Sequence, residues 1–169
     1  MALDDDLDRI IALRDRDDMQ PTIDALLPFE SSHPENARVL YEIGGAYDTA
    51  GREHVARTYY ERALEVGLDD DLLRRCFVQY GSTLRNLGEI DASLDVFAGA
   101  RARFPASASL AVFEAITLHA AGRPDASIAI LLEAVADLAD GSDAERYVAA
   151  LRGNAAYIRS LDDGDASAS

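Results

Sequence analysis

The chain has 169 residues, 49% of them hydrophobic, which suits one domain whose core buries roughly 70% of its unfolded surface. Its 31 acidic residues against 16 basic ones leave a formal charge of −15, a field that repels phosphate backbones and anionic lipid and so argues against nucleic-acid or membrane partners. A stretch of about 18 apolar residues, as a membrane span needs, is absent, and the acidic opening MALDDDLDR lacks the basic and then apolar order of a secretory leader. With Cys76 as the lone cysteine there is no internal disulfide, in keeping with a reducing compartment, and the expected location is cytoplasmic. All basic residues are Arg, none Lys, which fits a coding bias of the source genome; the acidic surface also fits adaptation to high salt.

In chain order, Leu7, Ile10, Ile11 and Leu13 predict a short amphipathic helix, and Pro21 opens a second that contains Ile23, Leu26 and Leu27. Pro28 is expected to kink or end it, and HPEN (33–36) closes the pair. Residues 37–70 then carry Leu40, Ile43, Gly44 and Tyr47 on a first helix, Gly51 at its end, and Ala56, Tyr60 and Ala63 on a second. The same punctuation returns in 74–107 with Phe77, Tyr80, Gly81, Leu84, Gly88, Ser93, Phe97, Ala100 and the closing Pro105. It returns again in 108–141 with Ala111, Glu114, Ala115, Leu118, Gly122, Ser127, Leu131 and Ala134, although Glu114 occupies an apolar position. Gly88 and Gly122 are 34 residues apart; Gly51 and Gly88 are 37 apart, an insertion placed near 68–71. Over 142–161, Ser142 and Glu145 form a capping box, and Tyr147, Val148, Leu151, Ala155, Ile158 and Leu161 supply one apolar stripe. The polar tail DDGDASAS (162–169) is expected to be disordered.

The glycines of YEIGGAYDTAG invite a phosphate-loop reading, which fails. Such a loop needs a preceding strand and a following Lys, whereas a helical apolar period runs through Gly44 and no Lys exists. Gly44 instead suits a close crossing of two helices, Gly51 a left-handed helix end, and Gly45 an outward position that exposes backbone.

This spacing of small, apolar and aromatic positions resembles the tetratricopeptide repeat, a helix-turn-helix unit of about 34 residues, and the chain is similar to small stand-alone bacterial members of that family. The resemblance implies an all-α, right-handed superhelical solenoid of antiparallel helix pairs. It would comprise a degenerate leading pair (3–36), three repeats (37–70, 74–107 and 108–141) and a C-terminal capping helix (142–161). It further implies that the first helix of each repeat lines a concave groove for an extended peptide or partner protein. Carried across, the groove residues are Arg38, Tyr41, Gly45 and Asp48 from the first repeat, Arg75, Val78, Ser82, Arg85 and Asn86 from the second, and Val112, Phe113, Ile116 and His119 from the third. Its three arginines either clamp an acidic or C-terminal carboxylate or pair with Asp and Glu on neighbouring helices. Family members that grip the acidic tails of heat-shock chaperones use Lys and Asn in this groove; Tyr41, Gly45, Ser82, Val112 and Ile116 stand there instead, so that role is not expected.

Chemistry has little support. His33, His54 and His119 lie on separate segments without zinc-ligand spacing, so surface positions are expected and no metal. DRDDMQPTIDAL (15–26) starts like a calcium loop, but Gln20 replaces the required Gly and Leu26 the final Glu. Cys76 follows Arg74 and Arg75, which would lower its pKa if exposed; a buried filler is the alternative. No cofactor and no enzymatic activity is expected. A peptide- or protein-binding adaptor is the leading function, a self-associating structural module that uses the groove or an end helix is the second, and an enzyme or metal protein is the remote third.

Overall fold

The computed structural model describes residues 3–165, with side chains to Leu161. Nine α-helices and one 3₁₀ turn make up the regular structure of the described residues: α1 Leu3–Ala12, α2 Gln20–Ser32, α3 Ala37–Thr49, α4 Glu53–Val66, α5 Asp70–Asn86, α6 Ile90–Arg103, α7 Ala108–Ala120, α8 Pro124–Asp137 and α9 Val148–Asp165, with the 3₁₀ turn at Glu145–Tyr147. Helices α3, α5 and α7 each start on a side-chain cap. Asn36, Asp69 and Ser107 accept from the amides of Val39, Leu72 and Leu110, which satisfies donors that the helix itself leaves open. Gly51, Gly88 and Gly122 end those helices with φ of 71°, 81° and 73°, a region that penalises any Cβ.

The backbone groups into two compact units, one up to Leu87 (α1–α5) and one from Gly88 (α6–α9). The division falls inside the second expected repeat. Repeat chains bury surface between sequential helices and build no single central core, so cores form locally.

In the first unit, Leu7, Met19, Ile23, Leu26, Val39, Ile43 and Ala46 join α1, α2 and α3 in one apolar cluster. A second cluster, Leu40, Tyr41, Ala56, Tyr60, Ala63 and Cys76, joins α3, α4 and α5. Gly44 is the crossing point: a Cβ there would stand 2.8 Å from Tyr60 Cε1 and 3.3 Å from Tyr59 Cβ. In the second unit the cluster is smaller-grained, with Ala111, Ala115, Leu118, Ala126, Ile130 and Ala134 between α7 and α8. Antiparallel to α8, α9 is tied to it by Arg152 to Asp137 and by Arg159, which donates from both Nη atoms to Glu133 at 2.8 and 2.9 Å.

Several local expectations change. Helix α1 stops at Ala12, so Leu13 leaves its apolar face and is 79% exposed. Pro28 neither ends nor breaks α2, which continues to Ser32; Pro28 and Asp24 both lie on the exposed side, where water can serve the carbonyl that loses its donor. The insertion near 68–71 is absorbed as the first turn of α5, which reaches 17 residues. Ser142 and Glu145 do serve backbone amides, but those of Ala144 and Gly141, and they hold the 3₁₀ turn instead of opening α9. Tyr147 therefore precedes the helix and is exposed, and Leu161 is exposed near the end of α9. The first four residues of the expected disordered tail, 162–165, form the last turn of α9, since backbone hydrogen bonding continues whatever the side chains; 166–169 lie outside the described residues. Leu131 turns off the face that Ala126, Ile130 and Ala134 present to α7 and is 38% exposed.

Candidate partner-binding surface

Helices α3 and α5 position the first-unit residues of the expected groove. Tyr41, only 6% exposed, anchors them. Gln79 donates from Nε2 to Tyr41 Oη at 3.0 Å, while Tyr60 Oη donates to Gln79 Oε1 at 2.7 Å, so the amide is oriented from both ends. Asp48 accepts from Thr83 Oγ1 at 3.1 Å and more distantly from Tyr60 Oη at 3.5 Å. Burial raises the pKa of Asp48 against the pull of the Thr83 hydrogen bond, and burial pushes the Tyr41 hydroxyl up to about 12. Cys76 is fully buried and its thiol is likewise pushed up to about 12 by desolvation, so the filler reading holds and the reactive one does not.

The arginines divide. Arg38 reaches across to α1, where it pairs with Asp4 at 2.9 Å and with Asp8, and it lies 3.8 Å from Glu42 on its own helix. Its guanidinium ties α1 to α3. Arg75 is exposed and pairs with Asp71 one turn earlier at 2.8 Å, a contact of the kind worth about 0.3–0.5 kcal/mol. Arg85 is half-buried, and desolvation lowers its pKa. Ser82 returns its hydroxyl to Val78 O at 2.7 Å; Val78 is half-buried, and Asn86 is exposed at the end of α5.

Tyr41, Gly45 and Arg75 come together around one pocket of about 240 Å³. Its other walls are Ile11, Arg14, Arg16, Met19, Glu42, Ala46, Thr49 and Gln79. Arg38, Asp48, Val78, Ser82, Arg85 and Asn86 are not among its walls. Gly45 does not simply face solvent as expected: a Cβ there would lie 3.4 Å from Gln79 Oε1, so the missing side chain makes room at the back of this pocket. Burial also raises the pKa of Glu42, opposed by the nearby charges of Arg38, Arg14 and Arg75.

In the second unit, Val112 and Ile116 sit on α7 at 38% and 44% exposure, one turn apart, with Phe113 half-buried beside them and His119 exposed in the last turn. Glu114, the residue that breaks the apolar pattern, accepts from Arg101 Nη1 of α6 at 2.8 Å in a largely buried pair, with side chains 29% and 15% exposed. His33 and His54 are exposed as well. Arg14, Arg16 and Gln79 escaped the sequence reading. For Gln79 a signal existed, since it falls three residues after Cys76 and four before Thr83 on the buried face of α5; Arg14 and Arg16 stand in the α1–α2 loop, where no helical period marks a face.

A family model described as "Tetratrico peptide repeat" matches residues 37–158. The chain belongs to the tetratricopeptide repeat family. Two solved structures resemble this tetratricopeptide repeat chain over nearly its whole length. "Crystal structure of MamA" aligns with a TM-score of 0.64 and 16% identity, covering 99% of this chain and 98% of that one. "MamA RS-1 ArsTM double mutant" aligns with a TM-score of 0.60 and 13% identity, covering 94% and 93%. At such identities the likeness establishes the all-helical repeat fold alone. A comparison with curated proteins gave no match. Among the described residues no helix is long and apolar enough to cross a membrane. The tetratricopeptide repeat fold supports an interaction or scaffold role for the chain.

Proposed function

We propose that the chain is a non-catalytic adaptor or scaffold that binds a peptide or partner protein, with the exposed side of α7, the first helix of its third repeat, as a contact surface. The single observation that carries this reading is the Val112 and Ile116 pair on α7, which exposes apolar surface one turn apart on a helix whose other side already fills the core. Water-facing helix positions are ordinarily polar, and an apolar pair beside Phe113 is what a partner side chain would cover. The test is affinity capture from the source lysate with the wild-type chain, with Val112→Asp/Ile116→Asp, and with Val55→Asp/Val66→Asp on the exposed side of α4 as a control. Loss of captured partners in the α7 variant alone, with unchanged helix content, is the expected result; equal loss in both variants or in neither would remove the assignment.

A second reading, self-association, is favoured by Ile128, Leu131 and Val135 of α8 and Leu138 at its C-terminal cap, which are exposed at spacings of three, four and three. Four such residues form one stripe on the helix. Light scattering over a hundredfold range of concentration separates the two readings: a constant monomer mass leaves the adaptor, whereas a mass that doubles in the wild type and not in Leu131→Asp/Val135→Asp points to the stripe.

A further inference from the structure

We propose that the pocket enclosed by the α1–α2 loop, α3 and α5 binds a single carboxylate contributed by a partner's protein chain, held by Arg14, Arg16 and Arg75 and by the hydroxyl of Tyr41. This rests on the interaction role proposed above and adds the chemistry of what is recognised.

The first support is charge. The protein carries −15 overall, yet three of its sixteen arginines line one pocket of about 240 Å³ whose walls include one carboxylate, Glu42. Arg14 and Arg16 stand in the loop between α1 and α2, and neither guanidinium makes a hydrogen bond or ion pair with the described residues, even though Asp15, Asp17 and Asp18 adjoin them in sequence. Among the described residues Arg75 has one ion pair, the exposed contact with Asp71 within its own helix, and its charge also acts on Glu42 and Tyr41 of α3.

The second support is the direction of the hydrogen bonds behind the pocket. Tyr60 donates to Gln79, and Gln79 in turn donates to Tyr41, so the Tyr41 oxygen is already an acceptor while its own hydrogen has no acceptor among the described residues. A hydroxyl in a side chain 94% removed from solvent, with its proton unused, calls for an acceptor in the adjoining space. Thr49, by contrast, spends its hydroxyl proton on Gly45 O at 2.9 Å. Three guanidinium groups and one hydroxyl thus present donors only, and Gly45 leaves room for the group that accepts them.

Size and charge narrow the ligand. The volume is below the roughly 300–1,000 Å³ that encloses a drug-sized molecule, so one or two residues of a chain fit and a nucleotide does not. Glu42 at the wall and the global charge penalise a dianion more than a monoanion, which favours carboxylate over phosphate. Guanidinium groups meet a carboxylate with paired, charge-assisted hydrogen bonds.

The experiment uses fluorescence anisotropy with a labelled hexapeptide of alternating alanine and glutamate, the same peptide amidated at its C-terminus, an alternating alanine and glutamine peptide with a free C-terminus, and an amidated glutamine peptide that carries no carboxylate. A side-chain source requires the two glutamate peptides to bind alike; a terminal source requires the glutamine peptide with a free C-terminus to bind and its amidated form not to. Arg14→Gln/Arg16→Gln should weaken the favoured peptide by about tenfold or more, since hydrogen bonds to charged groups contribute about 1.5–3 kcal/mol and 1.4 kcal/mol is tenfold. Tyr41→Phe, which keeps the ring and removes the donor, should weaken it several-fold. Both variants should retain wild-type helix content, because the arginines lie in an exposed loop and the tyrosine ring is preserved. The proposal is overturned if the carboxylate-free peptide binds as tightly, if the arginine variant binds as tightly as wild type, if no peptide binds, or if inorganic phosphate displaces the peptide at equal concentration. Loss of this pocket's binding with Val112- and Ile116-dependent capture intact removes only the carboxylate site; loss of both removes the interaction role itself.

Discussion

The two units fill the same repeat pattern with different interiors. Around Gly44 the first unit packs whole rings, with Tyr41 and Tyr60 tilted at 6.4 Å and Tyr47 stacked on Tyr59 at 5.6 Å, and it threads Gln79, Asp48 and Thr83 between them. The second, beside the buried ring of Phe97, which carries no hydroxyl, uses alanines and small hydroxyl side chains: Ser93 meets Thr117 at 3.3 Å, and Ser127 donates to Ala115 O at 2.7 Å. Small positions are common to both and permit close helix crossing; what surrounds them decides whether polar groups are drawn inward. Rings bring hydroxyls that need partners, and a buried network follows. Alanines bring none, so helices approach closely and local hydroxyls bond to nearby backbone or to each other.

The contrast yields tests of decreasing size. Tyr60→Ala in the first unit and Phe97→Ala in the second both empty a fully buried ring site and should each cost about 3–5 kcal/mol, read as lost amide hydrogen-exchange protection in the unit that holds the ring. Spread of the loss evenly over both units would argue that the two interiors are not separate. Glu114→Ala should cost the second unit about 1–3 kcal/mol, because Arg101 is left without its partner while its Nε already lacks one. Arg101→Met with Glu114→Leu should recover most of that in urea denaturation, as apolar replacement of an enclosed pair is often neutral or better. Gly44→Ala should cost about 1–3 kcal/mol through collision with Tyr60, whereas Gly99→Ala on α6, where a Cβ meets nothing within 4 Å, should stabilise by a few tenths to about 1 kcal/mol.

Protonation separates the units by sign. In the first, burial raises the Asp48 pKa above its unfolded value, so the contribution of this group is fully present below the unfolded value near 3.8 and is lost as pH rises through the folded pKa. In the second, the Arg159 hydrogen bonds lower the Glu133 pKa against a smaller opposing effect of burial, so its contribution is present above the unfolded value near 4.5 and is lost as pH falls through the folded pKa. Asp48→Asn should flatten the first dependence, and Glu133→Gln the second, in stability measured from pH 3 to about 7. Smallest in amplitude is the thiol: at pH 8 Cys76 should resist a thiol reagent while the first unit stays folded and react at the rate at which that unit opens.

Legibility followed chain distance. Gly51, Gly88 and Gly122 announce helix ends through local backbone geometry, and Ala56, Ala63 and Ala100 announce a packed face through helical period; every one of these was readable from residues a few turns apart. The groove residues carried over from the family pattern were readable only as positions, because whether an arginine is available depends on what lies opposite it. Arg38 meets carboxylates 34 and 30 residues earlier in the chain, at Asp4 and Asp8, and no spacing rule within one repeat could reveal that.

By itself, then, the sequence determined the helical repeat, its hairpin turns and the close-crossing positions, because each rests on φ preference or on a 3.6-residue period that neighbouring residues express. Only tertiary structure decided which charges are spent inside and which remain open: it directed Gln79 toward Tyr41, gathered Arg14, Arg16 and Arg75 around one pocket, and enclosed Glu114 against Arg101. Electrostatic partnership acts through space between segments far apart in the chain, and its outcome is set when helices pack.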